Sequence, residues 1–267
     1  MGGSLALSLK NHCHKIYGYD LMEEAVSFAR EIHAIDDGST VLEEFIPHSD
    51  LIVLAAPVQA ILALIGQLPR LHPGSPIVID LGSTKKSIVA AMQALPERFQ
   101  PIGGHPMCGK EKSSIHFAEA DLFKGNVFLL SPLERTTRLA YEVSLQLVDT
   151  IGAKPLLLDP ETHDRLTAAT SHFPYLLANV LAQITPQEAI SVLGPGFRST
   201  ARLAGSSPEM MLDILKTNRE NILSLIDRYQ DQLAELKKIL AEENYSDLLN
   251  FLRNGSASYH QLMKEKN

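Results

Sequence analysis

Cysteine is scarce in this chain. Cys13 and Cys108 are its two thiols among 267 residues. A pair cannot build a disulfide framework, and such sparse usage fits a reducing cytoplasm. An excess of basic charge is missing as well. The formal net charge of −7 argues against a nucleic-acid surface, which needs a basic stripe, but leaves room for a local pocket that takes a small anion. No apolar run approaches the roughly 20 residues of a membrane span, and no charged segment leads into an apolar core as in a signal peptide. These absences predict a cytoplasmic protein with neither membrane nor nucleic acid as partner. Internal repeats and low-complexity tracts are also lacking. The rest is ordinary globular composition, 45% hydrophobic and 21% charged, with length enough for one large domain or two modest ones.

Short β-rich runs alternate with helical stretches in the first half. LIVLAAP (51–57) and PIVIDLGS (76–83) are apolar on both faces, as strands buried in a parallel sheet are. KIYGYD (15–20), QPIGGHP (100–106), NVFLLSP (126–132) and KPLLLD (154–159) read as shorter strands. LMEEAVSFAREI and VQAILALIGQL lie between them with helical patterns. This alternation predicts a doubly wound α/β domain over 1–158. Asp159 then suits an N-cap, Pro160 a first helical turn and Glu161 the positive end of a helix. From there the spacing predicts an all-helical domain over 159–267, with a long helix over 218–243, then a further helix, a glycine break and a short tail.

The chain opens on MGGSLALSLK. A dinucleotide fingerprint is a strand, G-x-G-x-x-G, a helix, and an acidic residue about 20 positions on. Gly2, Gly3 and Ser4 look like the last of those glycines and the helix start, with no strand before them. Asp20 ends the next strand, where a carboxylate can accept from a ribose and would repel a 2′-phosphate, favouring NAD over NADP. Two tag-like glycines and a surface aspartate would read the same way. Ala56 and Pro57, at the end of their strand, complete the cofactor-binding candidates.

Strand ends in an open α/β sheet line the ligand crevice. Ser83 and Lys85, in DLGSTKK, would then face it, although a Gly-Ser turn capping the next helix explains the same residues. In IGGHPMCGKEKSS two glycines allow close approach and Pro106 fixes His105, a candidate base that titrates near neutrality. THDRLTAATSHFPY sets His163, Ser171, His172 and Tyr175 in an otherwise apolar segment. In GFRSTARLAGSSPEMM, Arg198 and Arg202 are four apart and share a face if helical, suiting an anionic ligand. HCH (12–14) tempts a metal reading, but adjacent loop residues rarely chelate together, and no metal is predicted.

Taken in order, GGSLALSLK, DLGSTKK, GGHPMCGKE, ADLFKGNVFLLSP, THDRLTAATSHFPY and GFRSTARLAGSSPEMM resemble the prephenate/arogenate dehydrogenases of tyrosine biosynthesis along essentially the whole chain. The resemblance implies a Rossmann-like domain, a helical dimerisation domain forming a homodimer, and NAD(P)-dependent oxidative decarboxylation of a cyclohexadienol. It implies that His105 accepts the proton of the substrate's ring hydroxyl and that Ser83 helps orient both. It gives Arg202 a substrate carboxylate and places Ser171 and His172 near the substrate. Tyr175 stands where some members carry a second histidine, so its role follows less directly. No ACT-like regulatory segment and no chorismate mutase segment is read in these residues. A β-hydroxyacid dehydrogenase shares the two-domain plan but relies on a lysine in its helical domain.

Family members begin with a short apolar strand and G-x-G-x-x-G-G, and Met1 stands just before the last two glycines. The expectation is a sheet without its first, central strand, with two ladders left unpaired. Losing four or five buried aliphatic side chains at roughly 1.5–3 kcal/mol each rivals a typical total stability of about 5–15 kcal/mol. Residues 1–267 alone are then expected to bind NAD poorly or not at all, the natural chain starting further upstream. The alternatives to a prephenate dehydrogenase are an arogenate dehydrogenase or an inactive dimeric relative.

Overall fold

The computed structural model describes residues 1–109 and 114–264. Residue contacts divide the chain into two compact units, Met1–Arg219 and Glu220–Asn267. The first unit opens with α1 (Gly2–Leu9), β1 (Tyr17–Tyr19), α2 (Glu23–Glu31) and β2 (Asp37–Ser39). Next come β3 (Leu51–Leu54), α3 (Val58–Leu71), β4 (Ile77–Asp80), α4 (Lys86–Gln93) and β5 (Gln100–Pro106). The sheet closes with β6 (Val127–Ser131), α5 (Arg138–Thr150) and β7 (Lys154–Leu157). Every element from α6 (Pro160–Thr167) onward is helical, through α7 (Phe173–Ile184), α8 (Pro195–Ala201) and α9 (Pro208–Thr217). The second unit holds α10 (Arg219–Ala241, from Glu220 on) and α11 (Tyr245–Lys264). Among the described residues no helix is long and apolar enough to cross a membrane.

Five strands form one sheet in the order β3-β4-β5-β6-β7. β3, β4 and β5 run parallel, β6 is antiparallel to β5, and β7 is parallel to β6. Helices cover both faces, as a parallel sheet requires. On one face Ile61, Ile65 and Leu68 of α3 and Ile88 and Met92 of α4 pack on Ile52, Leu54 and Val78. On the other, Leu5 of α1 and Leu147 and Val148 of α5 join Ile79, Ile102, Phe128 and Leu130. The predicted strands at 51–57, 76–83, 100–106, 126–132 and 154–159 all contain observed ones.

β1 and β2 form a separate parallel pair. Among the described residues β1 pairs with β2 alone and β3 with β4 alone. α1 packs beside the segment that follows β3 and beside Ile115. A Cβ on Gly2 would lie 3.1 Å from Ala55 Cβ, and one on Gly3 would lie 2.0 Å from Ile115 Cδ1. The opening glycines let this helix come close to its neighbours.

Three details differ from the sequence reading. β2 is Asp-Gly-Ser, without an apolar residue to mark it; Gly38 is held where a Cβ would lie 2.8 Å from the Gly18 carbonyl. α11 runs unbroken through Gly255, because a glycine costs an interior turn only about 1 kcal/mol. The α-helix carrying Arg198 ends at Ala201, and Arg202 starts a tighter 3₁₀ turn, Arg202–Gly205. The two arginines do not share one α-helical face.

Gly104 sits at the tightest point of the sheet. A Cβ there would lie 2.5 Å from the Asp80 carbonyl and 3.1 Å from Phe128 Cε1. Gly104→Ala should lower stability by about 1–3 kcal/mol, the usual cost of overpacking, as read by denaturant unfolding.

Candidate active site

The site grows from the carboxyl ends of β4 and β5. Asp80 closes β4 and is fully buried, as is Lys85 in the loop that follows. Their side chains bond to each other. The pair grips Gly104 from two directions: Asp80 Oδ1 accepts the Gly104 N–H at 3.0 Å, and Lys85 Nζ donates to the Gly104 carbonyl at 2.7 Å. Asp80 Oδ2 also accepts the Gly82 N–H at 2.8 Å. A buried charge needs such partners, since desolvation otherwise costs several kcal/mol or more. Burial pushes the Lys85 ammonium below its ordinary range, against the pull of Asp80. Lys85 therefore turns inward and does not face a ligand, contrary to the sequence reading. Its work is to fix the backbone that presents His105.

His105 follows Gly104 and is half-buried. Its Nδ1 lies 2.9 Å from Nε2 of His163, and His163 Nδ1 lies 2.8 Å from Oδ1 of Asp164. Both partners come from α6, whose N-cap Asp159 accepts the Thr162 N–H at 2.9 Å, as its sequence predicted. Asp164 reaches back to the sheet edge. Its Oδ1 accepts the Lys85 N–H at 2.6 Å and its Oδ2 the Lys86 N–H at 2.9 Å, at the start of α4. Burial, and after it the nearness of His163, Lys85 and His172, holds His105 well below the ordinary histidine range. At neutral pH the ring is uncharged and can accept a proton.

Behind this line the helical elements lock together. A π-helical turn, Ala168–His172, joins α6 to α7; such turns widen the helix and recur at functional sites. It leaves Ser171 exposed and turns His172 inward. Asn218 donates to the Asp164 carbonyl at 2.7 Å and to His172 Nδ1 at 3.1 Å. Thr84 and Thr217 pair through their hydroxyls at 2.9 Å. Tyr175 lies in the apolar cluster with Ile88, Met211 and Ile214. Ser83 is half-buried in the β4–α4 loop, and Arg198 and Arg202 are exposed.

In the separate β1–β2 pair, Asp20 is exposed just past β1, where it accepts the Met22 N–H at 3.0 Å. Ser4 is buried and accepts the Glu119 N–H at 3.1 Å, tying α1 to the chain after β5. Ala56 and Pro57 lie between β3 and α3. Residues 110–113 of the GGHPMCGKEKSS stretch lie outside the described residues.

Sequence reasoning left Asp80, Asp164 and Asn218 out of the site and gave His163 no role. One signal was available. His163, Asp164, Thr167, Ala168 and His172 recur at nearly helical spacing and form the buried stripe of their segment. Charged and polar residues on a stripe that ought to be apolar mark a built polar network.

His172 carries a pH liability. Burial lowers its pKa to about 4, against the pull of Asp164. The folded ring stays neutral while the unfolded one protonates below about 6.5, so stability is full above that pH and is lost as pH falls toward 4. Between about pH 7 and about pH 5 the loss from this residue should be roughly 2 kcal/mol. Urea titrations at both pH values should show it, and His172→Gln should reduce the difference by that amount.

Comparison with known proteins places this geometry in a family. Residues 5–157 match "Prephenate dehydrogenase, nucleotide-binding domain" and residues 159–254 match "Prephenate dehydrogenase, dimerization domain". The prephenate dehydrogenase of Bacillus subtilis is 34% identical over 265 residues, covering 95% of this chain and 70% of that protein. The crystal structure of Aquifex aeolicus prephenate dehydrogenase in complex with hydroxyphenyl propionate and NAD+ superposes with a TM-score of 0.88 at 29% identity, over 98% of this chain and 94% of the other. Synechocystis arogenate dehydrogenase follows with a TM-score of 0.81 at 25% identity, over 97% and 95%. With both halves matched by the family's two domains, the chain belongs to the prephenate dehydrogenase family.

Proposed function

We propose that this chain is an NAD-dependent prephenate dehydrogenase, with His105 as the base that takes the proton of the substrate's ring hydroxyl. The observation that carries this reading is a half-buried imidazole at the carboxyl end of β5, held by its Nδ1 against His163 at 2.9 Å. Loss of that proton drives electrons toward the ring carbon as hydride leaves, and loss of CO2 then gives the aromatic 4-hydroxyphenylpyruvate. Aromatisation makes the step effectively irreversible.

The residues at the start of the chain fit the cofactor. The first turn of α1 receives no side-chain cap, so its N–H groups suit a phosphate. Gly2 and Gly3 keep that turn bare, and the exposed Asp20 carboxylate suits a ribose with a free 2′-hydroxyl, which favours NAD over NADP. NAD supplies the hydride acceptor. Ala56 and Pro57 would line the same crevice.

Prephenate carries two carboxylates. Arg202, at the head of its 3₁₀ turn, would hold one of them bidentately, with Arg198 as a second cation nearby in sequence. Ser83 would orient the hydroxyl toward His105. Ser171, exposed on the π-helical turn, would face the substrate side, with the buried His172 behind it and Tyr175 in the core.

The helical half would assemble two copies. α10 and α11 leave Leu233, Leu240, Leu249, Leu252, Tyr259 and Leu262 exposed, Leu262 to 69%. Apolar side chains repeated along two helices mark an interaction face. A homodimer would cover them.

Arogenate is the second reading, favoured by the likeness to the Synechocystis enzyme. The two substrates differ by a keto or an amino group on the side chain. Formation of NADH should be followed with prephenate and with arogenate side by side. Prephenate should be preferred, and His105→Asn should cut turnover by about 10² or more, the usual share of a general base. Absence of turnover with either substrate in the unaltered protein would refute the reading.

A further inference from the structure

The line from His105 to Asp164 decides which nitrogen of His105 is free. A carboxylate such as that of Asp164 can only accept hydrogen bonds. It accepts the backbone N–H groups of Lys85 and Lys86. Its third partner, His163 Nδ1 at 2.8 Å, must therefore be the donor. A neutral His163 with its proton on Nδ1 has a bare Nε2, which can only accept. The atom 2.9 Å from that nitrogen is His105 Nδ1, so His105 carries its proton there. The lone pair of His105 is left on Nε2, the one ring nitrogen on which a proton from outside can land.

We propose that His163 and Asp164 are positioning residues for His105: acting through the His163 ring, the Asp164 carboxylate keeps the proton of His105 on Nδ1 and steadies the positive charge that His105 gains when it takes the hydroxyl proton. The inference rests on the dehydrogenase reading for its chemistry. In the step itself the substrate O–H bond breaks and an N–H bond forms at His105 Nε2. The ring becomes an imidazolium, and its Nδ1–H stays donated to His163. The electron pair released from the O–H bond goes to the carbonyl as hydride departs to NAD. No further oxidant or reductant is needed.

The alternative protonation shows why the order matters. If His163 carried both protons, its Nε2–H would donate to His105 Nδ1, and His105 would hold its own proton on Nε2. That form cannot act as a base. Of the ionisable groups around the line, Lys85 and His172 oppose a charge on His105, Asp80 is paired with Lys85, and Asp164 fixes Nδ1 of His163 as the donor, which leaves its Nε2 to face His105.

The test compares His163→Leu and His163→Gln with the unaltered protein. The glutamine oxygen can still accept from His105 Nδ1–H, whereas leucine cannot. For His163→Leu, kcat should fall by about tenfold or more, while KM for prephenate and for NAD stays within about twofold. The acid limb of its kcat profile should move, and His163→Gln should restore much of the rate. Nitrogen-15 NMR of labelled histidine gives a readout independent of turnover. The unaltered protein should show His105 protonated on Nδ1, and His163→Leu should lose that preference. A protein without turnover that keeps the Nδ1 proton would sink the dehydrogenase reading and leave this inference standing. A His105 protonated on Nε2 in the unaltered protein would overturn the inference. So would a His163→Leu enzyme with the parent's kcat and pH profile.

Discussion

One carboxylate joins the two halves of the site. Asp164, near the start of the helical segment, accepts the first N–H groups of α4 and the ring N–H of His163. α4 begins where the β4 loop ends, and β4 pairs with β5, which carries His105. Asp164 therefore sets both the backbone in front of His105 and the ring beside it. Its own carbonyl is held by Asn218, which also reaches His172. Remove that carboxylate and the start of α4, the histidine line and the packing of α6 lose a common anchor.

The sheet contributes a second constraint. The buried Asp80–Lys85 pair is weak evidence for stability in itself, because desolvation offsets the attraction. Its geometry is more telling. Both polar groups of Gly104 are bound by that pair, one residue before His105. A site that must hold a base within a fraction of an ångström needs its backbone fixed as well as its ring. The ion pair meets that need where a packed apolar residue would not.

How much was legible follows from what each residue does. Strands β3, β4 and β6 announce themselves because both faces are buried and the run stays apolar. The N-cap at Asp159 announces itself because its side chain bonds locally. β2 was invisible, since pairing with β1 and close packing at Gly38 form it without any apolar signal. Lys85 was misread because an ammonium at a strand end suggests a ligand, and only the fold brings Asp80 and Gly104 around it. His105 and His163 lie 58 residues apart, so no local pattern links them.

The most direct measurement of the central constraint is amide hydrogen exchange at Lys85, Lys86 and Gly104 in the unaltered protein and in Asp164→Ala. If Asp164 anchors α4 and the loop before it, the Lys85 and Lys86 amides should lose protection by about tenfold or more, with Gly104 following through the Lys85 grip. Unchanged protection at all three amides in a folded Asp164→Ala protein would contradict the account.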